Sequence, residues 1–337
     1  MLIRQNGILN LIFKNMIELN FQLANDFLSQ YGLKNFFITK IAGDASFRSY
    51  YRIFHDDKTF VLMFAPPEFE DVKPFIKIAD LLIENNLNAP KILSKDLENG
   101  FLLLQDFGDD TFSKYLLKNP THELEIYQTA IDSLLKIQKI DCQKIDIKKY
   151  NIATLYREVS LFIDWYLPLK DFTISTNQIK FYKSSWIDLF DKLSKHEGVL
   201  VMRDFHADNL MILNNPQNDS NVGLLDFQDA LIGSFAYDLV SLIEDARRDI
   251  DPQNSKKIFD YFISNCKYNL NEFNVDFEIL SLQRNIKILG IFARLFLRDK
   301  KQQYLNYLPR VENFVKKRLL QTQLINQDFK DFLLNYL

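Results

Sequence analysis

The alternation of apolar and polar residues divides the chain into a β-rich first third and a helix-rich remainder. Residues 16–31 carry Leu and Phe at helical spacing and end at Gly32, which predicts an amphipathic helix with a glycine at its C-terminal end. Five apolar runs then predict an antiparallel sheet, with a second amphipathic helix at 70–86 between the third and fourth runs. The predicted strands are FFITKI (36–41), FRSYYRIF (47–54), TFVLMFA (59–65), residues 92–93 and FLLLQDF (101–107).

Helical patterns dominate after Gly108, apart from a β-rich segment that begins near residue 200. The predicted fold class is therefore α+β, with a small antiparallel β lobe at 16–108 and a larger, mainly helical lobe at 109–337. A nucleotide site is expected in the cleft between the two lobes. The apolar run GILNLIF (7–13) is too short for a membrane span, and no small-residue cleavage site of a signal peptide follows it. Met16 is interpreted as the natural start of the fold, so residues 1–15 are predicted to be a loosely held extension.

Composition excludes several classes of protein. A chain of 337 residues with 47% hydrophobic and 25% charged residues is typical of a globular protein with a sizeable core. The net charge of −3 leaves no basic footprint for nucleic acid. Cys142 and Cys266 lie far apart, which indicates a reduced, intracellular protein. Since no run of eighteen apolar residues occurs, we predict a soluble cytoplasmic protein with no membrane partner. We also predict no nucleic-acid partner, on the basis of the net charge, and no obligate protein partner.

Three polar side chains lie beside short apolar runs in the β-rich segment. Asp204 and Asn209 occur in LVMRDFHADNLMIL, and Asp226 occurs in VGLLDFQDALIG. If LMIL and VGLL pair as a two-stranded ribbon, Asn209 and Asp226 come close together, and Asp204 lies on the loop before the ribbon. One carboxylate could then receive the proton of an attacking hydroxyl, while an amide oxygen and the other carboxylate hold Mg²⁺. The pattern predicts a phosphotransferase centre, and solvated loop acids are the alternative interpretation.

Two segments of the β lobe are predicted to bind a nucleotide. Backbone N–H groups of a small, polar turn between the first two strands could meet phosphate oxygens, and the segment after the last strand could read adenine through its main chain. The predicted residues are Gly43, Asp44, Ala45, Ser46, Arg48, Gln105, Asp106 and Phe107. Arg48 is either a phosphate ligand or an exposed strand charge, and Asp106 either contacts ribose or caps the helix that begins near Thr111.

Six segments resemble the aminoglycoside phosphotransferase superfamily, most closely its bacterial N-acetylmuramate/N-acetylglucosamine kinase branch. They are GDASFRSYYRI, VLMFAPPEFEDVKPF, FLLLQDFGDDTF, RDFHADNLM, LLDFQDALIGSFAYDLVSLIEDARRD and GIFARLFLRDKKQQYL. The likeness runs from about residue 20 to about residue 330. It implies a protein-kinase-like two-lobe fold, ATP and Mg²⁺ as cofactors, and phosphorylation of the amino sugar at C1 during recycling of cell-wall sugars toward nucleotide-sugar precursors.

The resemblance also implies roles for individual residues. Asp204 matches the catalytic base, and Asn209 and Asp226 match the Mg²⁺ ligands. Two positions depart from the family pattern, because Met202 replaces a frequent His and Met63 stands where many kinases keep a phosphate-binding Lys. The same chemistry on another acceptor, such as choline, an aminoglycoside or a different sugar, is one alternative that stays open. The departure at Met63 leaves open a second alternative, a nucleotide-binding pseudokinase regulator.

Residues for acceptor recognition follow the acidic centre. The candidates are Asp229, Arg247, Arg248 and Arg294. Asp229 is close enough to Asp226 along the chain to touch the metal or the acceptor. An Arg could hold the lactyl carboxylate of muramic acid with two hydrogen bonds, although a lattice of surface salt bridges is the alternative. Asp238 is predicted to cap the helix that follows it.

Overall fold

The computed structural model describes residues 19–43, 47–143, 145–214 and 220–337, which form two compact units. The first unit contains the described residues of Met1–Tyr115 together with Asp208–Asp229. The second unit contains those of Leu116–Ala207 and Ala230–Leu337.

Both strands and helices are present, which confirms the predicted α+β class. The described strands are β1 Phe37–Gly43, β2 Ser49–His55, β3 Lys58–Phe64, β4 Ile92–Asp96, β5 Phe101–Gln105, β6 Val199–Val201, β7 Leu210–Ile212, β8 Val222–Leu224 and β9 Leu231–Gly233. The described α-helices are α1 Phe21–Gln30, α2 Lys73–Glu84, α3 Phe112–Lys118, α4 Glu123–Ile137, α5 Ile152–Leu161, α6 Leu167–Leu169, α7 Thr176–Phe190, α8 Tyr237–Ile243, α9 Pro252–Asn265, α10 Leu270–Leu297, α11 Leu308–Gln321 and α12 Gln327–Leu334.

The first unit contains the predicted five-stranded antiparallel sheet, in the order β1-β2-β3-β5-β4. Asp56 turns the chain between β2 and β3 with a positive φ of 51°, which Asp tolerates better than most residues. Gly100 lies in the turn before β5 with a φ of 73°, and a Cβ there would lie 2.0 Å from the carbonyl oxygen of Ala65. Glycine is therefore required at this turn both for its backbone angle and for space.

Helix α1 begins later than the apolar spacing predicted. The side chain of Asn20 accepts hydrogen bonds from the N–H groups of Gln22 and Leu23 and so caps the helix at its first residue, Phe21. Residues 1–18, which include the predicted extension, lie outside the described residues. Leu23, one of the leucines whose helical spacing predicted the buried face of this helix, is 40% exposed, so its predicted burial is wrong. Gly32 follows the helix with a φ of 94°, as a glycine C-terminal to a helix commonly does.

The two faces of the sheet have different roles because successive side chains of a strand point to opposite sides. One face packs on α1 and forms a core that includes Ile53, Leu62 and Leu103. The opposite face presents the alternate residues of the same strands, among them Arg52 and Val61, which are partners in the β2–β3 register. This second face forms one wall of a cavity.

The ribbon predicted from LMIL and VGLL is present as the antiparallel pair β7–β8, with Leu210 opposite Leu224. It belongs to the first unit because its backbone is bonded to that unit at two places. The N–H of Ile212 donates to the carbonyl of Asp110 (2.9 Å), and the N–H of Leu224 donates to the carbonyl of Asn88 (2.8 Å). The compact unit therefore extends beyond the predicted boundary at residue 108, and the functional division into two lobes stays a prediction.

The second unit is built around α10, which is 28 residues long and buried over most of its surface. Gly290 allows close packing, since a Cβ at this position would lie 2.4 Å from the carbonyl carbon of Leu161 in α5. A short antiparallel pair, β6–β9, places Leu200 opposite Ile232. Among the described residues, no helix combines the length and apolar character that a membrane span requires.

Candidate active site

The first unit contains a cavity of about 360 Å³ whose walls come from three parts of the sequence. The sheet contributes apolar side chains such as Val61 and Leu104, and the segment after β5 contributes Gln105, Asp106 and Phe107. The ribbon and the residues next to it contribute Asn209, Met211, Leu225 and Asp226. This cavity therefore brings two predicted sets of residues together: those for the nucleotide base and those for the metal.

The two predicted metal ligands lie at the wall of this cavity. The Asn209 amide nitrogen is 3.4 Å from an oxygen of Asp226, and the backbone N–H of Leu225 donates to the carbonyl of Asn209 (3.0 Å). Asp226 follows β8 with a positive φ of 56°, and its other carboxylate oxygen accepts a hydrogen bond from Gln228 (2.8 Å). The expected proximity of Asn209 and Asp226 is therefore present, while their role as ligands stays a prediction.

The chemistry of this donor pair fits Mg²⁺. A carboxylate and an amide carbonyl offer hard oxygen donors, and Mg²⁺ in enzymes commonly uses one or two carboxylates together with water and substrate phosphates. Within the described ranges, no cluster of three or more His, Cys, Asp or Glu residues could enclose a metal on its own. A magnesium ion here would therefore depend on the phosphates of a bound nucleotide.

The segment after β5 is held by Arg52, a residue that the sequence pattern did not single out. Its guanidinium bonds both oxygens of Asp106 (2.7 and 3.1 Å), an oxygen of Asp109 (2.8 Å) and the carbonyl of Gly108 (3.0 Å). Burial opposes the charge of Arg52, but the two carboxylates raise its pKa above the ordinary value. The alternation along β2 could have indicated the face that Arg52 occupies. Its partners, 54 to 57 positions away, could not be read from the sequence.

Asp106 does not cap the next helix, so that interpretation is wrong. Its carboxylate accepts hydrogen bonds from Arg52 and from the N–H of Gly108 (2.9 Å), and its side chain is only 4% exposed. The hydroxyl of Thr111 caps α3 instead, by accepting from the N–H of Lys114 (3.2 Å). Asp106 therefore gives the segment after β5 a defined shape.

The predicted nucleotide-binding residues between Gly43 and Arg48 have three different outcomes. Gly43 ends β1 opposite Ser49, whereas Asp44, Ala45 and Ser46 lie outside the described residues. Arg48 is only 8% exposed, so its alternative interpretation as an exposed strand charge is wrong.

Phe107 and Met63 also bear on the predicted nucleotide site. In the described part of the chain, the N–H of Phe107 has no hydrogen-bond acceptor. The ring of Phe107 lies against Gly223, where a Cβ would approach it to 2.8 Å. Met63 is fully buried in β3 opposite Tyr50. Because its side chain is uncharged, this position supplies no cation.

The predicted catalytic residue, Asp204, lies in the second unit on the loop after β6. The buried carboxylate of Asp238 accepts hydrogen bonds from the N–H groups of Met202 (2.7 Å) and Arg203 (2.9 Å). Arg203 has a positive φ of 70°, and its guanidinium is bonded to Glu158 (2.5 Å). These contacts fix the backbone immediately before Asp204. The prediction that Asp238 caps its helix is wrong, because Ala236 occupies the N-cap and no side chain caps that end.

The surrounding charges favour the ionised form of Asp204. Burial opposes ionisation, but positive charges, led by that of Lys287, hold the pKa of Asp204 below its ordinary value. Lys287 is buried on α10, donates to the hydroxyl of Tyr237 (2.8 Å) and lies 3.7 Å from Glu158. Asp238 behaves in the opposite way, because burial raises its pKa to about 7 despite the two N–H donors.

Two of the predicted acceptor-binding arginines already have partners in the second unit. Arg247 lies 3.2 Å from Nε2 of His206, and its guanidinium lies over the ring of Phe292 at 5.8 Å. Arg248 forms a salt bridge with Glu123 at 2.8 Å. The salt-bridge interpretation therefore applies to Arg248.

Arg294 and Asp229 differ from those two. Arg294 lies half-buried on α10, and its Nε is buried with no hydrogen-bond partner among the described residues. Asp229 belongs to the first unit and is exposed. Sequence reasoning did not identify Arg284 and Lys287, which lie on the same helix. They precede Arg294 by ten and seven positions, and this helical spacing could have indicated them.

The sequence of this chain is similar to a protein-family profile and to bacterial proteins of known name. The profile described as "Phosphotransferase enzyme family" matches residues 38–263. A protein named N-acetylmuramate/N-acetylglucosamine kinase from Pseudomonas aeruginosa is 34% identical over 283 residues, which is 82% of this chain and 81% of that protein. A protein of the same name from Neisseria meningitidis is 31% identical and covers 88% of this chain and 90% of its own length.

Solved structures show the same fold at low sequence identity. A spectinomycin phosphotransferase in complex with ADP and spectinomycin has a TM-score of 0.61 at 13% identity, over 94% of this chain and 98% of its own. The GDP complex of an aminoglycoside 2'-phosphotransferase has a TM-score of 0.62 at 14% identity, over 89% of this chain and 99% of its own. The expected protein-kinase-like α+β fold is thereby confirmed. Since the family profile spans most of the chain and the bacterial relatives exceed 30% identity, this protein belongs to the phosphotransferase enzyme family.

Proposed function

We propose that the protein is an ATP-dependent kinase that phosphorylates the anomeric hydroxyl of N-acetylmuramate, N-acetylglucosamine or both. The observation that carries the proposal is the cavity of the first unit, which is lined both by Asn209 and Asp226 and by Gln105 to Phe107. The acceptor class comes from the names of the bacterial relatives, which belong to those proteins and are extended to this chain here.

The cavity suits an ATP molecule in both shape and chemistry. Apolar side chains such as Val61 and Leu104 offer a surface for a flat purine ring, and the N–H of Phe107 offers a donor for a ring nitrogen. Asn209 and Asp226 would hold Mg²⁺. When bound, this ion supplies positive charge against the phosphate oxygens.

Asp204 is proposed to position the acceptor hydroxyl and to receive its proton. Its depressed pKa keeps the carboxylate ionised at neutral pH, so that it is ready to accept a hydrogen bond from the sugar. A carboxylate is a much weaker base than an alkoxide, so the proton transfers late, as the bond to phosphorus forms. General-base assistance of this kind contributes on the order of 10²–10⁴-fold in rate.

These groups also argue against a pseudokinase regulator. The chain keeps a carboxylate at Asp204, and Asn209 and Asp226 lie 3.4 Å from one another at the cavity wall, as phosphate transfer requires. We propose Arg48, which immediately precedes β2 and is only 8% exposed, as the cation that compensates for Met63. The cytoplasmic location and the assignment of nucleotide and acceptor to separate lobes are proposed as well.

The direct test is phosphate transfer to a panel of acceptors. The purified protein is incubated with ATP, Mg²⁺ and each of N-acetylmuramate, N-acetylglucosamine, glucose, choline and an aminoglycoside, and the products are followed by phosphorus NMR. We expect an anomeric 1-phosphate from one or both amino sugars. A 6-phosphate would contradict the anomeric assignment, and transfer only to choline or the aminoglycoside would contradict the acceptor class.

A further inference from the structure

We infer that Arg294 binds the carboxylate of an acidic acceptor sugar and thereby sets the preference for N-acetylmuramate over N-acetylglucosamine. The inference rests on the proposed function and deepens it. It assigns to one side chain the recognition of the single acidic group by which the two sugars differ.

The starting observation is a guanidinium without a partner. Arg294 is half-buried on α10, its Nε has no contact with solvent, and the described residues provide no hydrogen bond or ion pair for its side chain. Burial and the positive charge of Arg298 lower the pKa of Arg294, with only a partial offset from Asp299. A buried charge that lacks a partner is costly, and such a group is a candidate for binding an anion.

Other arginines of the described chain are satisfied by carboxylates. Each of the following pairs has a nitrogen–oxygen distance of 3.0 Å or less: Arg52–Asp106, Arg248–Glu123, Arg298–Asp299, Arg310–Asp249 and Arg318–Glu244. Arg294 differs from all of these. The comparison with Arg298 is the most informative, because Arg298 is four residues beyond Arg294, at the C-cap of α10, and is bonded by two nitrogens to Asp299.

The position of Arg294 connects it to the catalytic loop along α10. Arg284 and Lys287 contribute positive charge that favours the ionised Asp204. Arg294 is seven residues beyond Lys287, which is two helical turns, so it projects from the same face about 10 Å further along the axis. One face of α10 therefore carries cations from the catalytic carboxylate toward the helix end.

A second set of contacts connects the catalytic loop to α10. His206, two residues after Asp204, lies 3.2 Å from Arg247, and Arg247 lies over the ring of Phe292 on α10. The C-terminal half of α10, which carries Arg294, is therefore connected through Arg247 to the segment that follows Asp204.

The chemistry of the two sugars suits this arrangement. N-acetylmuramate carries a lactyl ether with a free carboxylate, and N-acetylglucosamine has a hydroxyl at that carbon. A guanidinium can bond both oxygens of a carboxylate in parallel, which gives geometric selectivity as well as attraction. N-acetylglucosamine offers no such anion, so it leaves the charge of Arg294 unmatched.

The test compares two variants on two acceptors. Arg294→Met removes the charge, and Arg298→Met is the matched control on the same helix. For each protein, kcat/KM is measured with N-acetylmuramate and with N-acetylglucosamine. We expect the ratio of kcat/KM for N-acetylmuramate to kcat/KM for N-acetylglucosamine to fall by about 10- to 100-fold in Arg294→Met, mainly because KM for N-acetylmuramate rises. A loss of this size is usual when a charge-assisted hydrogen-bonded pair is removed. Arg298→Met should change the ratio by less than about threefold.

A second measurement does not depend on the folding of a variant. The parent enzyme should treat the amide of N-acetylmuramate, in which the carboxylate is neutral, like N-acetylglucosamine. Arg294→Lys should restore part of the preference, because it returns the charge without the bidentate geometry. An unchanged ratio in Arg294→Met, equal losses on both sugars, or equal turnover of the acid and its amide would each overturn the inference. A parent enzyme that phosphorylates neither sugar would refute the proposed function itself, and the role of Arg294 with it.

Discussion

Asp204 is a carboxylate whose surroundings make it more acidic, and its proposed role requires the charged form. Replacement of Asp204 by Asn keeps the size of the side chain and a carbonyl oxygen, but it removes the ability to take up the proton of the hydroxyl. We expect kcat to fall by about 10²-fold or more, because general-base assistance typically contributes 10²–10⁴-fold. The measurement is steady-state turnover of N-acetylmuramate at saturating ATP.

Asp171→Asn is a suitable control for this change. Asp171 is exposed in the second unit and has a positive φ of 58°, which Asn accepts as readily as Asp. The control should retain the turnover of the parent. Turnover of Asp204→Asn within about tenfold of the parent would contradict the general-base assignment.

Asp238 predicts a dependence of stability on pH. Its folded pKa is about 7, well above the ordinary value for an aspartate, so between these two values the folded protein retains a proton that the unfolded chain releases. Stability from this group is therefore present at low pH and is lost as the pH rises toward 7. Asp238→Asn carries no such proton. We expect the free energy of unfolding of the variant relative to the parent to rise by about 2 kcal/mol between pH 5 and pH 7.

Urea unfolding of both proteins at the two pH values measures this difference. Taking the variant minus the parent removes the contributions of other titrating groups, such as Glu158, whose pKa is lowered. A relative stability that is independent of pH would show that the folded Asp238 titrates like an exposed carboxyl group.

At the level of secondary-structure elements, β2 and the segment after β5 are connected by Arg52. Replacement of Arg52 by Met keeps the length of the side chain but leaves the nearly buried Asp106 without its ionic partner. Since this segment lines the proposed nucleotide cavity, we expect the Kd for a fluorescent ATP analogue to rise by roughly tenfold or more, as for loss of a charged hydrogen-bonded pair. Lys58→Met, at an exposed position on β3, is the control and should bind like the parent. An unchanged Kd for the ATP analogue in Arg52→Met would show that Arg52 does not contribute to nucleotide binding.

The close approach of α10 and α5 depends on the absence of a side chain at Gly290. Alanine has the higher helix propensity, so this substitution would be stabilising in an isolated helix. Here its Cβ would lie 2.4 Å from the backbone of Leu161, and the helices must separate. We expect Gly290→Ala to lower the free energy of unfolding by about 1–3 kcal/mol, as overpacked cores do.

Chemical denaturation measures this change in stability. Asn274→Ala, at an exposed position on the same helix, is the control and should be neutral or slightly stabilising. A gain in stability for Gly290→Ala would mean that helix propensity exceeds the cost of the contact.

For the complete protein, binding of nucleotide and metal is expected to appear as thermal stabilisation. A ligand at 100 times its Kd stabilises the folded state by about 2.7 kcal/mol. A non-hydrolysable ATP analogue with Mg²⁺ should therefore raise Tm, measured by calorimetry, and addition of EDTA should remove part of the increase. Asp226→Ala should lose the Mg²⁺-dependent part and retain the part due to the nucleotide base. An identical response of the parent and Asp226→Ala to Mg²⁺ would contradict the assignment of Asp226 as a metal ligand.

Local patterns in the chain were sufficient for the strands, the order of the elements and the ribbon that joins Asn209 to Asp226. These features depend on interactions between residues near in sequence: the period of the apolar residues, the turns at Asp56 and Gly100, and a ribbon whose two strands are close along the chain. The same patterns were less accurate at element ends, because a single cap such as Asn20 decides where a helix begins.

Tertiary structure decided which polar groups found partners. Arg52 reaches Asp106 across more than fifty positions, Asp238 bonds the loop before Asp204 and caps no helix, and the buried Nε of Arg294 has no hydrogen-bond partner within the described part of the chain. Each outcome follows from the packing of elements that are distant in sequence. Whether a charge is paired, buried or left to meet a ligand depends on which side chains this packing brings within hydrogen-bond distance, and no periodic pattern encodes that.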